Sequence, residues 1–184
     1  MKPFARIALL AAGFLTTSAP AAAPAERFAF KGIALGSDIA ALASNPKYEC
    51  RTSSAPAADT LCGLRPREKE TIAGAPVRSV FFFFYGGKLT SISLYLDERH
   101  FAQVIDALRG KYGETPVRSE PIRNLKGVHF ENRTYVWSTA EDRLQAQRYA
   151  GRVDQSALRY SAEALIRSIE ARRAEVAKDP RKDL

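Results

Sequence analysis

The residues best suited to chemistry are few and widely spaced in this sequence. Its only histidines are His100 and His129, and its only cysteines are Cys50 and Cys62. Zinc centres use three or four protein ligands drawn mainly from these residue types, and this chain offers too few at suitable spacing. The cysteines also lie too far apart for a C-x-x-C redox motif. We therefore expect no metal site and no cofactor.

Common catalytic signatures are missing as well. The sequence contains no G-x-S-x-G, no H-E-x-x-H and no dinucleotide-binding glycine pattern. Gly87-Lys88 is not part of a phosphate-binding loop, because Phe82 stands where the first glycine of that motif belongs. The carboxylate pairs Asp97-Glu98 and Glu141-Asp142 fall at turns or helix starts, where acids cap helices. We predict that no residue is catalytic and that the protein is not an enzyme.

The first 25 residues have the three parts of a cleavable secretory signal. Lys2 and Arg6 precede an uncharged run whose strongly apolar part is shorter than the about 20 residues that cross a bilayer. Small alanines then form a cleavage site, so we expect the mature chain to begin at Glu26. Removing the two basic residues lowers the net charge from +8 to +6. The expected location is the periplasm or the extracellular space, and the mature chain is not expected to span a membrane.

This compartment gives the cysteines a role. In an oxidising environment, Cys50 and Cys62 are expected to form a disulfide that holds the ends of a polar loop at residues 51 to 63. The excess of positive charge would favour an acidic protein, an anionic polymer or a lipid surface as partner. Nucleic acid is not an expected partner of an exported chain.

Periodicity predicts one α+β domain over residues 26 to 184, with a frayed basic tail from about 178. An antiparallel sheet is expected to pack against one long central helix and a C-terminal helix, in an order that coarsely repeats a helix followed by a meander. The long helix is predicted between Asp97 and Gly113. Its apolar stripe consists of Phe101, Val104, Ile105, Leu108 and Tyr112.

Short segments along residues 28 to 113 carry a resemblance to known proteins. They are Gly32-Ile33-Ala34-Leu35-Gly36, Gly74-Ala75-Pro76, Gly86-Gly87-Lys88-Leu89 and Lys111-Tyr112-Gly113. The arrangement resembles uncharacterised exported proteins of Gram-negative bacteria built from helix-plus-meander modules. It is also similar to the secreted β-lactamase inhibitor proteins and to the small lipoprotein of the outer-membrane β-barrel assembly machinery. The resemblance implies a fold and a compartment, and no active site.

The Gly86-Gly87 pair predicts a tight hairpin between two extended runs. An uninterrupted register would place Phe82 opposite Ser91 and Val80 opposite Ser93. Side-chain alternation would then put one group of residues on the face turned away from the long helix. That group is Val80, Phe82, Phe84, Leu89, Ser91, Ser93 and Tyr95.

A sheet face with so many apolar side chains is normally covered by another part of the protein or by a partner. One interpretation is that the C-terminal helix covers it through Leu165, Ile166 and Ile169. The other is that its aromatic residues, joined by two from a later strand, form an exposed patch that binds a partner. The patch would contain Phe82, Phe84, Tyr95, Tyr135 and Trp137.

Three functional hypotheses follow. The first is a non-catalytic exported binding or inhibitor-like protein that acts on another cell-envelope protein. The second is an envelope maintenance factor that binds an anionic polymer or lipid through Arg and Lys surfaces. The third is an enzyme of unrecognised type.

Overall fold

The computed structural model describes residues 27–55, 57–123 and 126–178. The predicted signal at 1–25 and the end of the basic tail lie outside the described residues. Within the described part, no helix has both the length and the apolar character needed to cross a membrane.

The described residues form eleven strands and three α-helices. In chain order they are β1 (Ala29–Phe30), β2 (Ile33–Ala34), α1 (Ala40–Ala43), β3 (Tyr48–Thr52), β4 (Thr60–Leu64), β5 (Glu70–Ile72), β6 (Ala75–Tyr85), β7 (Lys88–Asp97), a 3₁₀ turn (Glu98–His100), α2 (Phe101–Tyr112), β8 (Val117–Arg123), β9 (His129–Ser138), β10 (Arg143–Gln147), β11 (Gln155–Ser161) and α3 (Glu163–Ala177).

Antiparallel pairing joins nine of these strands into one sheet. The order is β3-β4-β6-β7-β11-β10-β9-β8, with β5 added against β6, while β1 and β2 form a separate hairpin. The sheet therefore consists of two meanders that meet at β7 and β11. The predicted α+β class and antiparallel sheet are confirmed. A single long central helix is not shown, because α2 has 12 residues and α3 has 15.

One side of the sheet, here called the inner face, packs against α1, α2 and the β1–β2 hairpin. The apolar stripe of α2 lies in this core: Phe101, Val104, Ile105 and Leu108 are buried, and Tyr112 packs at its edge. Asp97 caps the 3₁₀ turn before the helix by accepting a hydrogen bond from the Arg99 N–H. Gly113 ends the helix with a φ of 86°, which a glycine adopts without steric cost.

The Cys50–Cys62 disulfide is confirmed, but its setting differs from the predicted loop. The two residues lie directly opposite each other on β3 and β4, with their Cα atoms 4.0 Å apart. Strand β3 ends at Thr52 and β4 begins at Thr60, so both strands extend into the predicted loop. The disulfide therefore links β3 covalently to β4 at one edge of the sheet, where β3 has no partner on its other side among the described strands.

Reduction of this disulfide is expected to lower the free energy of unfolding by about 2 to 3 kcal/mol, because the open chain gains entropy when unfolded. Urea unfolding with and without reductant measures the effect. As a control, the double variant Cys50→Ala/Cys62→Ala should respond to urea identically in both conditions. An unchanged unfolding midpoint on reduction of the wild-type chain would contradict the prediction.

The β6–β7 hairpin corrects the predicted register. Gly86 and Gly87 form the turn with φ values of 55° and 75°, and Phe84 pairs with Leu89 as expected. Beyond that pair the register shifts by one residue, so that Phe83 faces Ser91.

Thr90 is the extra residue of this β-bulge. It is 1% exposed, and its hydroxyl lies 2.9 Å from the carbonyl oxygen of Phe83 and 3.0 Å from that of Ala57. These contacts hold the bulge in place. A shift of one residue moves a strand's side chains to the opposite face relative to its neighbour.

The bulge therefore changes which side chains of the two strands share a face of the sheet. Phe82 and Phe84 share the inner face with Ile92 and Leu94. On the opposite side, here called the outer face, the register brings together Ser79, Phe81, Phe83, Ser91, Ser93 and Tyr95 of the hairpin with Ala157 and Arg159 of β11.

Candidate functional site

The structure separates the five residues predicted to form one aromatic patch. Phe82 and Phe84 are fully buried, and Tyr135 and Trp137 are 7% and 5% exposed. Of the five, only Tyr95 lies on the outer face, where it is half-buried. The prediction that they share an exposed surface is therefore wrong. For Phe82 and Phe84, the physical reason is the Thr90 bulge, which places both rings on the inner face.

Three of the buried four contact another aromatic ring, and Phe84 lies in the core with 0% exposure. The Phe82 ring lies 5.3 Å from the Tyr48 ring, edge to face. Tyr135 stacks on Trp137 at 6.2 Å, and the indole Nε1 donates a hydrogen bond of 2.8 Å to the Gly113 carbonyl at the end of α2. The indole hydrogen bond joins β9 to the end of α2, and burial of all four residues leaves no free aromatic surface at these positions.

The C-terminal helix α3 does lie against the sheet, at one end of the outer face. Ile166 lines a groove together with Phe83 and Ser91, and the Arg173 guanidinium lies 5.5 Å from the centre of the Tyr85 ring. Ile169 is 1% exposed. The C-terminal helix therefore does cover part of the sheet. It covers the end of the outer face near Phe83 and Tyr85, whereas the sequence predicted that it would cover the face that carries Phe82 and Phe84.

Beyond α3, the outer face carries half-buried rings separated by serines. Phe81 and Tyr95 meet edge to face with their ring centres 6.5 Å apart. Ser93 lies directly opposite Phe81, and Ser79 lies opposite Tyr95. Small side chains beside the rings leave the ring surfaces accessible and add hydrogen-bonding groups. Aromatic rings interspersed with serine are also found in antibody paratopes, where the rings act as anchors and the serines provide adaptable hydrogen bonds.

The charged residues at the centre of this face have one sign, and acidic residues such as Asp97 and Glu49 lie at its border. Residues 79–85, 91–95, 143–147 and 157–161, which form the centre of the sheet, contain no Asp or Glu. Arg143 and Arg159 are exposed there and, among the described residues, form no salt bridge. The centre of the outer face is therefore aromatic, small-polar and cationic.

The carboxylate pairs singled out in the sequence are engaged in ion pairs. Glu98 lies 2.6 Å from the Arg148 Nε. The hydrogen bond from the Arg99 N–H, aided by Arg78, lowers the pKa of Asp97. A general acid needs a raised pKa near the working pH, so Asp97 is poorly suited to that role. Within the described ranges, no group of three or more His, Cys, Asp or Glu could hold a metal ion.

Asp142 forms an ion pair that the sequence did not reveal. Its side chain is fully buried, and both its oxygens accept hydrogen bonds of 2.7 Å from Arg27. The Phe28 N–H adds a third bond of 3.2 Å. The hydrogen bonds to Asp142 raise the pKa of Arg27. This contact fastens the start of the described chain to the β9–β10 turn, and its partners are too distant in sequence for any local pattern to predict it.

No protein-family model, curated protein or solved structure matches this chain. The resemblance to exported helix-plus-meander proteins therefore stays a prediction.

Proposed function

We propose that this chain is an exported, non-catalytic binding protein that engages another cell-envelope protein through the outer face of its sheet. The observation that supports the proposal most is the set of half-buried rings, Phe81, Phe83 and Tyr95, placed among serines at the centre of this face, where acidic residues such as Asp97 and Glu49 lie at the border. A sheet face left to solvent is normally polar.

The way this surface is built also favours binding. Both strands belong to the centre of the sheet, so their rings are held by a rigid backbone and lose little conformational freedom when a partner docks. Ring side chains also provide large contact areas with few rotatable bonds. Because α3 reaches only the Phe83 and Tyr85 end, the surface around Phe81, Ser93 and Tyr95 stays available.

The exported location is supported by the Cys50–Cys62 disulfide, since such bonds persist mainly in oxidising compartments. Periplasm and extracellular space both fit. The non-catalytic character is supported by the ion pairing of Glu98 and Asp142 and by the lowered pKa of Asp97. We further propose that α1 with its meander and α2 with its meander coarsely repeat one helix-plus-meander arrangement, which the order of elements along the chain favours.

The test places a photo-crosslinking amino acid at Ser93 in the native host. We expect one partner protein to be captured there, and capture to be lost in the Phe81→Ser/Tyr95→Ser variant. Truncating both central anchors should weaken binding to the purified partner by roughly several hundred-fold, because each such anchor contributes about 2 kcal/mol. The melting temperature should change little, since neither ring is in the core.

The matched control carries the crosslinker at Val117, which is 48% exposed on the edge strand β8. Capture of the same proteins from both positions, or capture that persists in the double variant, would contradict the proposal.

A second candidate is an envelope factor that binds an anionic polymer or lipid. It is favoured by Arg143, Arg159 and Arg172, which are exposed and form no salt bridge among the described residues. Binding to anionic vesicles that falls steeply with ionic strength and is insensitive to Phe81→Ser/Tyr95→Ser would support this candidate over the first.

A further inference from the structure

A separate cleft lies on the inner side of the sheet, between α2 and the tips of two hairpins. Its volume is about 230 Å³, and its walls are largely apolar. The β1–β2 tip contributes Phe30 and Lys31, and the β5–β6 tip contributes Ile72. From α2 come Val104, Ala107, Leu108, Lys111 and Tyr112.

Tyr160 lines the cleft and is 2% exposed. Burial raises the pKa of its hydroxyl, so this wall of the cleft carries no negative charge that would repel an anion.

The mouth of the cleft is cationic. Lys31 and Lys111 are both among the lining residues, and no Asp or Glu is. The Lys111 ammonium lies 5.0 Å from the centre of the Tyr112 ring and forms no salt bridge with the described residues. The Lys31 ammonium lies 3.4 Å from the Thr71 hydroxyl and 3.9 Å from Glu70. At least one lysine is therefore available for an anion.

The two lips of the cleft are fixed. Lys31 and Ala73 begin their turns with φ values of 52° and 49°, which residues with a Cβ atom adopt only at a steric cost. The Gln103 side chain of α2 donates a hydrogen bond of 2.8 Å to the Ala73 carbonyl. The opening between α2 and the hairpins is therefore built into the fold.

We propose that this cleft binds a small amphipathic carboxylate, with its apolar body against Val104 and Leu108 and its carboxylate at Lys31 and Lys111. An apolar cavity of about 150 Å³ is enough for a benzene molecule, so the cleft has room for a ring or a short alkyl chain. The site faces away from the outer face, and it does not depend on the function proposed there.

The test is titration of the mature protein with octanoate, followed by calorimetry and by NMR shifts of methyl groups lining the cleft. We expect saturable binding of octanoate that is at least tenfold tighter than binding of 1-octanol or octylammonium. Ala107→Trp should weaken octanoate binding at least tenfold, because Ala107 is an exposed residue at the mouth.

Ala102→Trp is the matched control, since Ala102 is exposed on the same helix and lines a different cleft. It should leave octanoate affinity unchanged. Lys111→Glu should lower the affinity at least tenfold, and Arg123→Glu on β8 should not. The proposal is overturned if no saturable binding is seen, if the three probes bind equally, or if the control variants weaken binding as much as the cleft variants.

Discussion

Replacing Phe82 by Ala is expected to lower the free energy of unfolding by about 3 to 5 kcal/mol, as for other fully buried aromatic residues. Its ring is 0% exposed and lies within 6.2 Å of the Phe30 ring and 5.3 Å of the Tyr48 ring. Truncation would leave a cavity between the sheet and the β1–β2 hairpin. Urea unfolding followed by circular dichroism measures the loss.

The neighbouring Phe81→Ala variant is the matched control. Phe81 is half-buried on the outer face, so its truncation should cost about 1 kcal/mol or less. The contrast between adjacent phenylalanines tests the register directly. If Phe81→Ala proved the more damaging of the two, the Thr90 bulge would not be present in solution.

Replacing Arg27 by Met is expected to cost roughly 3 kcal/mol, because it leaves the Asp142 carboxylate buried without its counter-ion. The side chain of Asp142 is 0% exposed, whereas that of Arg27 is 34% exposed. Asp142→Asn should therefore lower the free energy of unfolding less than Arg27→Met does, because water can still solvate the partly exposed Arg27 side chain. A double-mutant cycle on purified mature protein measures the coupling.

Arg78→Met provides the control for an exposed pair. Arg78 bonds to Asp97 and Asp154, whose side chains are 29% and 48% exposed, so this change should cost less than about 1 kcal/mol. Equal losses for Arg27→Met and Arg78→Met would show that burial of Asp142 does not determine the energetics of its ion pair.

Local signals in the sequence predicted local structure well. The glycine pair at 86 and 87 needs positive φ at both positions, and the 3.6-residue stripe of α2 has one apolar side. Neither depends on distant residues. The disulfide followed from having two cysteines in an expected oxidising compartment. Each of these features could therefore be found without knowing the fold.

Features that depend on tertiary contacts were missed or misplaced. Thr90 looks like an ordinary strand residue, and only its hydrogen bonds to Phe83 and Ala57 show that it bulges. Strand β8 was missed because Pro121 and its charged neighbours are typical of a loop; an edge strand tolerates them. The candidate site shifted accordingly, from Phe82 and Phe84 to the residues beside them.

The ion pair between Arg27 and Asp142 also constrains the order in which the chain can fold. The partners are 115 positions apart. Strand β7, in the middle of the sheet, likewise pairs with β11, which lies much later in the chain. In a chain that emerges N-terminus first, Arg27 has no carboxylate to bind until the β9–β10 turn has appeared. Long-range contacts of this kind form late and slow the final step. An incomplete chain should therefore stay loosely folded, and closure of the core should await nearly the whole sequence.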